Sequence, residues 1–234
     1  MRAWVKHGDA LRFLLARTAD PDAAALATEL RAVADLAREL RLWTVIGSLH
    51  PLTPPRRPHL SLYVIGDDGE VATRYDERML SNTKVSHMYT PGSAPVTFTV
   101  DGVRYGCAMG MEAAYPEIFL EYERLDVDCV LFSTHGPGTP VNNGPFALQA
   151  QALAAANSYW VSYAGVAQDA PNAPSGLVTP DGDWLTRCPP EPSTTLVTAD
   201  LVVPVENHAR QWRRTARSGL YDQYLAPDDP RATR

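Results

Sequence analysis

Between Asp20 and Leu40 apolar residues recur at three- and four-residue spacing, with Leu26, Leu30, Val33, Ala37 and Leu40 forming one stripe behind a capping Asp20 and a first-turn Pro21. That spacing predicts an amphipathic helix. The pattern then shortens to strand length, in "LWTVIGSL", in "LSLYVI" and, after the turn "GDDGE", in "VATRY". From Pro95, "VTFTV", "DG" and "VRYGCAM" predict a hairpin that turns at Asp101 and Gly102. Alternation along its second strand puts Val103, Tyr105, Cys107 and Met109 on one face, and Arg104, Gly106, Ala108 and Gly110 on the other.

A helix from about Tyr115, with Pro116 in its first turn, comes next. It is followed by the strand "DCVLFST", a loop from His135 to Pro145, the Ala-rich helix "FALQAQALAAANS" and the strand "YWVSYAGVA". Strand and helix alternate, which predicts an α/β fold. "SGLVTPDGDWL" reads as a second hairpin and "TTLVTADLVV" as one more strand. The tail "NHARQWRRTARSGLY" mixes basic and aromatic residues before a polar end expected to fray. There is no internal repeat.

At 234 residues and 45% apolar content the chain fits one domain, 1–234, with a substantial core. Its net charge of −6 lacks the basic footprint of a nucleic-acid or anionic-membrane binder, which leaves small molecules and proteins as partners. Cys107, Cys129 and Cys188 are an odd number in no metal-like spacing, and the first two sit in apolar runs as buried thiols do. With no signal-peptide pattern at the amino terminus, a cytoplasmic location is expected.

The chemistry, if any, belongs near "GCAMGMEAAYPE", where a strand gives way to a helix and many α/β enzymes hold a nucleophile. Gly110 stands at that exit. Taken in order, "LWTVIGSLHP", "RYDERMLSNTKVSHMYTPG", "VDGVRYGCAMGMEAAYPE", "DVDCVLFST", "QAQALAAANSYWVS" and "SGLVTPDGDWL" resemble the nitrilase superfamily of carbon-nitrogen hydrolases over residues 25 to 220. The resemblance implies an α-β-β-α sandwich of two mixed sheets flanked by helices, usually paired into a dimer. It also implies a cysteine thiolate that attacks an amide or nitrile carbon, a glutamate base, a lysine facing the oxyanion and a second nearby glutamate. Thiolate, base and oriented cation are what acyl transfer at nitrogen requires.

Carried over position by position, the cysteine belongs where this chain has Gly110, and the lysine where "YDER" has Glu77. The second glutamate falls at or beside Lys84. The first belongs in an upstream "PE" phrase that the chain does not contain, so the first strand-helix-strand segment is expected to be missing. Glu77 and Lys84 reverse the family's charges and keep their sum. They are expected either to pair across the site's mouth or to stand as independent surface charges.

Among the other residues, Cys107 faces the core by parity and Cys188 reads as a surface thiol in the loop "TRCPP". Glu112 and Glu117 read as helix-start carboxylates that favour the dipole. His87, His135 and Asn142, with Glu112, border the pocket that the resemblance implies. No metal constellation is seen and no cofactor is expected.

Three functions stay open. One is a pseudo-hydrolase with a binding or assembly role, holding an amide- or nitrile-like ligand and forming a homodimer, or a heteromer with an active relative, through the tail at 205–234. Another is an enzyme of non-covalent acid/base chemistry on a small nitrogen-containing substrate, using groups such as Glu77, Glu112 or His135. The last is the decayed product of an amidase gene.

Overall fold

A computed structural model describes residues 23–134, 144–205, 207–229 and 231. The predicted amphipathic helix spans Ala23–Leu40 (α1), burying Leu26 and Ala37. Leu40, expected on its apolar stripe, is exposed, because Arg41 at φ 53° ends the helix and turns the chain away. Thr44–His50 (β1), His59–Ile65 (β2) and Val71–Asp76 (β3) then form a three-stranded sheet in that order. Both of its pairings are antiparallel, so of the two sheets expected to be mixed, this one is not mixed among the described residues.

The six-stranded sheet takes its strands in chain order: Thr97–Val100 (β4), Val103–Met109 (β5), Cys129–Ser133 (β6), Trp160–Ala164 (β7), Gly176–Val178 (β8) and Trp184–Arg187 (β9). β5, β6 and β7 run parallel, joined by the crossover helices Pro116–Arg124 (α2) and Gly144–Asn157 (α3), and the outer pairs are antiparallel. The β4–β5 hairpin turns at Asp101 and Gly102, both at positive φ as a tight two-residue hairpin needs.

The predicted alternation along β5 decides how the layers meet. Ala108 joins Ile118, Phe119 and Tyr122 of α2 and Ala150 and Ala154 of α3 in one core cluster. Cys107 and Met109, on the opposite face, pack with Leu49, Leu60, Leu62, Val64 and Tyr75 of the smaller sheet. At roughly 25 cal/mol per Å² of buried apolar surface, this two-faced burial is what fixes the register of β5.

The expected strand "TTLVTADLVV" joins no ladder beyond a single bridge at Asp200. Its alternation is nonetheless used, since Ala199, Leu201, Val203 and Val205 pack over Val100, Tyr105, Cys129 and Trp160. Side-chain burial there replaces strand pairing. Cys188, expected at the surface, is buried, because its N–H bonds to the Ser175 carbonyl at 2.7 Å and carries the chain along the sheet edge past the end of β9.

The basic residues of the tail turn inward. The helix His208–Thr215 (α4) is capped by Asn207 and lies over Glu123 of α2, whose carboxylate is fully buried. Arg214 Nε reaches Glu123 at 2.6 Å, Arg217 Nη1 at 3.1 Å and Arg210 Nε at 3.5 Å, while Arg213 Nη2 donates to Ser158 Oγ at 2.6 Å. Trp212, Tyr221, Tyr224 and Leu225 stay exposed.

Glu123→Gln would leave three guanidinium groups facing one another over a neutral amide. The expected result is a loss of about 3 kcal/mol of stability, the low end for a broken buried pair because Arg214 and Arg217 reach solvent. Denaturant unfolding measures the loss, and amide exchange over residues 208–215 should quicken with it.

Candidate active site

Met109 ends β5, and at Gly110 the backbone enters the left-handed region, with φ +48°, before the short helical turn Gly110–Ala114. This is the strand-to-helix elbow expected from the sequence, and glycine adopts it without strain. Two residues on, Glu112 folds back under the elbow. Its carboxylate is fully buried and accepts from Met109 N at 2.7 Å, Arg78 N at 2.7 Å, Met79 N at 3.3 Å and the Tyr75 hydroxyl at 2.6 and 2.7 Å.

Glu112 thus stands in the first turn of that short helix, as the sequence predicts, and accepts from the N-cap N–H of Met109, but it does more than favour the dipole. It ties the end of β3 and the following turn to the exit of β5. Burial raises its pKa, against the stabilising pull of the Tyr75 hydroxyl and the three backbone N–H groups. Glu117, by contrast, lies exposed in the first turn of α2, where a carboxylate favours the dipole.

The turn held by Glu112 carries Glu77. Its backbone is pinned by Glu77 N to Leu60 O and by Gly92 N to Glu77 O, both 2.9 Å. The side chain has no solvent exposure and receives Lys84 Nζ at 2.9 and 2.6 Å. Lys84 opens the helical turn Lys84–Met88 and keeps 26% of its side chain in solvent. Of the two arrangements expected, the pair forms, and the solvated loop carboxylate does not describe Glu77.

A Cβ placed on Gly110 would stand 2.9 Å from Glu77 Oε1 and 3.4 Å from Lys84 Nζ. The pair thus borders the space that a side chain at position 110 would enter. Pairing does not hold Glu77 at an ordinary carboxylate pKa, as an opposite charge alone would. Burial outweighs Lys84 and pushes it up to about 7. Close to neutrality, Glu77 can both take and give a proton.

His87 sits in the exposed turn beside Lys84, while His135 and Asn142 lie outside the described residues. Cys107 is fully buried, and burial raises its thiol pKa further from the range of a nucleophile. Among the described residues no His, Cys, Asp and Glu group could hold a metal ion, and no helix is long and apolar enough to cross a membrane. Sequence reasoning missed Tyr75 and Arg78. Both flank Glu77 in "YDER", and the Arg78 guanidinium bonds Glu121 at 2.7 Å. The cue was present, since four consecutive polar residues ending a strand mark a built turn.

The family model of the carbon-nitrogen hydrolases matches residues 12–212, and the chain belongs to that family. No curated protein matches the sequence. Among solved structures, a cysteine-to-alanine mutant of the Nesterenkonia AN1 amidase, from the nitrilase superfamily, is similar at 18% identity and a TM-score of 0.68, over 86% of this chain and 74% of that one. A glutamate-to-leucine mutant of the Nesterenkonia sp. AN1 amidase, with the acetamide moiety of fluoroacetamide added covalently at its active-site cysteine, is similar at 18% identity and a TM-score of 0.67, over 92% and 78%. The cysteine-to-alanine mutant in complex with butyramide gives 17% and 0.65, over 87% and 77%. These likenesses establish a nitrilase-like fold.

Glu77 also sets a pH dependence. Unfolded, it titrates near 4.5; folded, near 7, so the folded chain binds the proton more tightly. Its stabilising contribution is full below about 4.5, declines as pH rises toward 7 and is flat above. Glu112 shifts in the same direction. Thermal unfolding between pH 4.5 and 7.5 should therefore show stability falling with pH, and Glu77→Gln should remove the part of that slope that Glu112 does not supply.

Proposed function

We propose that this member of the family does not run the thiolate route, and that its retained role is to bind a small amide- or nitrile-like molecule or to serve in an assembly. The carrying observation is the Glu77–Lys84 pair against Gly110, where no sulfur stands and a carboxylate takes the position at which the family resemblance expects a lysine. Glycine forms no acyl-enzyme, and a misplaced negative charge adds repulsion to the loss of a donor worth about 3 to 4 kcal/mol. The Nesterenkonia amidase is modified by fluoroacetamide at an active-site cysteine, and the family resemblance puts the cysteine position of this chain at Gly110.

A second reading rests on Glu77 alone. A buried carboxylate near pKa 7 next to an ammonium can shuttle protons for a non-covalent reaction on a small nitrogen-containing substrate. The two readings part on whether a bound amide is turned over.

Purified protein incubated with butyramide or fluoroacetamide should release no ammonia and carry no acyl or acetamide adduct by intact mass. Gly110→Cys should not restore hydrolysis, since its Cβ lies 2.9 Å from a carboxylate oxygen. Ammonia release by the unaltered chain would favour the acid/base reading, and an adduct on Cys107 would overturn the thiolate-free one.

Assembly is expected through the tail, whose arginines are engaged with the domain while Trp212, Tyr221, Tyr224 and Leu225 face outward, as interface aromatics do. Light scattering should give a homodimer, or pull-down a heteromer with an active relative. Trp212→Glu with Tyr224→Glu should return a monomer that unfolds at an unchanged temperature. A wild-type monomer that captures no relative would remove the assembly role.

A further inference from the structure

The chain contains two lysines, Lys6 and Lys84, and the other nineteen of its 21 basic Lys and Arg residues are arginine. Its other carboxylate pairs follow that usage: Arg74 with Asp76, Arg78 with Glu121, and Arg210, Arg214 and Arg217 with Glu123. Among the described residues, Glu77–Lys84 is the ion pair that uses an ammonium. For a purely structural partner to a buried carboxylate the planar, permanently charged guanidinium is the better match, whereas an amine can lose its proton and become a nucleophile.

The geometry supplies what such an amine needs. Both carboxylate oxygens of Glu77 lie within 2.9 Å of Nζ, so a proton can pass directly. Glu77 has no exposure, while 26% of the Lys84 side chain reaches solvent, so the base is sheltered and the lysine stands at the boundary with solvent. Gly110 presents no side chain where its Cβ would stand 3.4 Å from Nζ. The buried Glu112 adds a second carboxylate whose charge acts on Glu77, which disfavours an anionic ligand.

We propose that Lys84 captures small uncharged aldehydes or ketones as an imine, with Glu77 carrying its proton. This deepens the binding reading above and rests on its premise that no thiol does the covalent work. The Lys84 ammonium gives a proton to the Glu77 carboxylate, and the amine lone pair attacks the carbonyl carbon. The carbonyl π pair moves to oxygen, which takes the proton back from Glu77 as the nitrogen yields one to it, giving a neutral carbinolamine. The carbon–oxygen bond then breaks with its pair on oxygen, which leaves as water with the Glu77 proton. The nitrogen lone pair closes the carbon–nitrogen double bond, and the resulting iminium keeps the single positive charge the ammonium began with. No oxidant or reductant is consumed.

The test treats the full chain with propanal and cyanoborohydride, which reduces any imine to a stable propyl-amine, and reads each site by peptide mass spectrometry. Labelling of Lys84 that saturates with propanal and outpaces Lys6 is expected. Glu77→Gln should slow it by about 10²-fold, the scale of a lost proton carrier. Lys84→Arg, which keeps the charge pair, should leave label only at Lys6 and the amino terminus. Lys84 labelling no faster than Lys6 in the unaltered chain, or unsaturable, overturns the proposal whether or not the variants fold, as does an unchanged rate in a folded Glu77→Gln protein. Amide turnover, assayed without reductant, separates the two levels: turnover through a thioester sinks the premise, whereas no turnover together with unselective labelling sinks the imine alone.

Discussion

The Glu112 carboxylate joins the two sheets beneath the Gly110 elbow. Tyr75 and the N–H groups of Arg78 and Met79 come from the end of the small sheet, and Met109 N from the end of β5 in the large one; all four converge on it. A buried carboxylate left without partners would cost several kcal/mol, and each hydrogen bond to it contributes roughly 1.5 to 3 kcal/mol. Its burial is tolerable only while those four groups stay together. The position of Glu77, two residues from Tyr75, follows from that constraint and not from its own pairing.

Glu77 then sits where two comparable effects meet. Taking a carboxylate out of water costs several kcal/mol, and a unit charge about 4 Å away returns about 4 kcal/mol at the effective dielectric of a protein surface. Lys84 is closer than that but only partly buried, so solvent weakens its pull. The Met111 backbone also favours the charged form, while Glu112 opposes it. The near cancellation leaves the carboxylate titrating near 7. A small change at position 110 or 84 would tip it either way.

Much of the fold was legible because it rests on periodicity. The alternation from Val103 to Met109 located both layers, and the Asp-Gly and Pro-Asp-Gly turns located both hairpins, since φ/ψ demands there are local. What failed is non-local. "TTLVTADLVV" has a strand's pattern, yet whether it joins a ladder depends on a neighbour with free backbone groups. Cys188 looked exposed for the same reason. At the site, the resemblance pointed to Gly110, Glu77 and Lys84, and it is the tertiary fold that brings them within reach of one another. The helix-start position of Glu112 was legible, but its bonds to Tyr75, Arg78 and Met79 were not, because those partners lie more than thirty positions upstream.

The buried carboxylates of Glu123 and Glu77 are partnered differently, and the difference bears on what each can do. Glu123 is covered by Arg210 and Arg214 of α4 and by Arg217 of the turn that follows it, and no guanidinium gives up its proton in water; that site can only hold. Glu77 is covered by one amine, half-way between solvent and core, beside a backbone position with no side chain. A proton there has somewhere to go. The same fold thus carries one carboxylate held by guanidinium groups to dock the tail and one paired with an amine beside Gly110, and the choice of Lys over Arg at position 84 is what separates them.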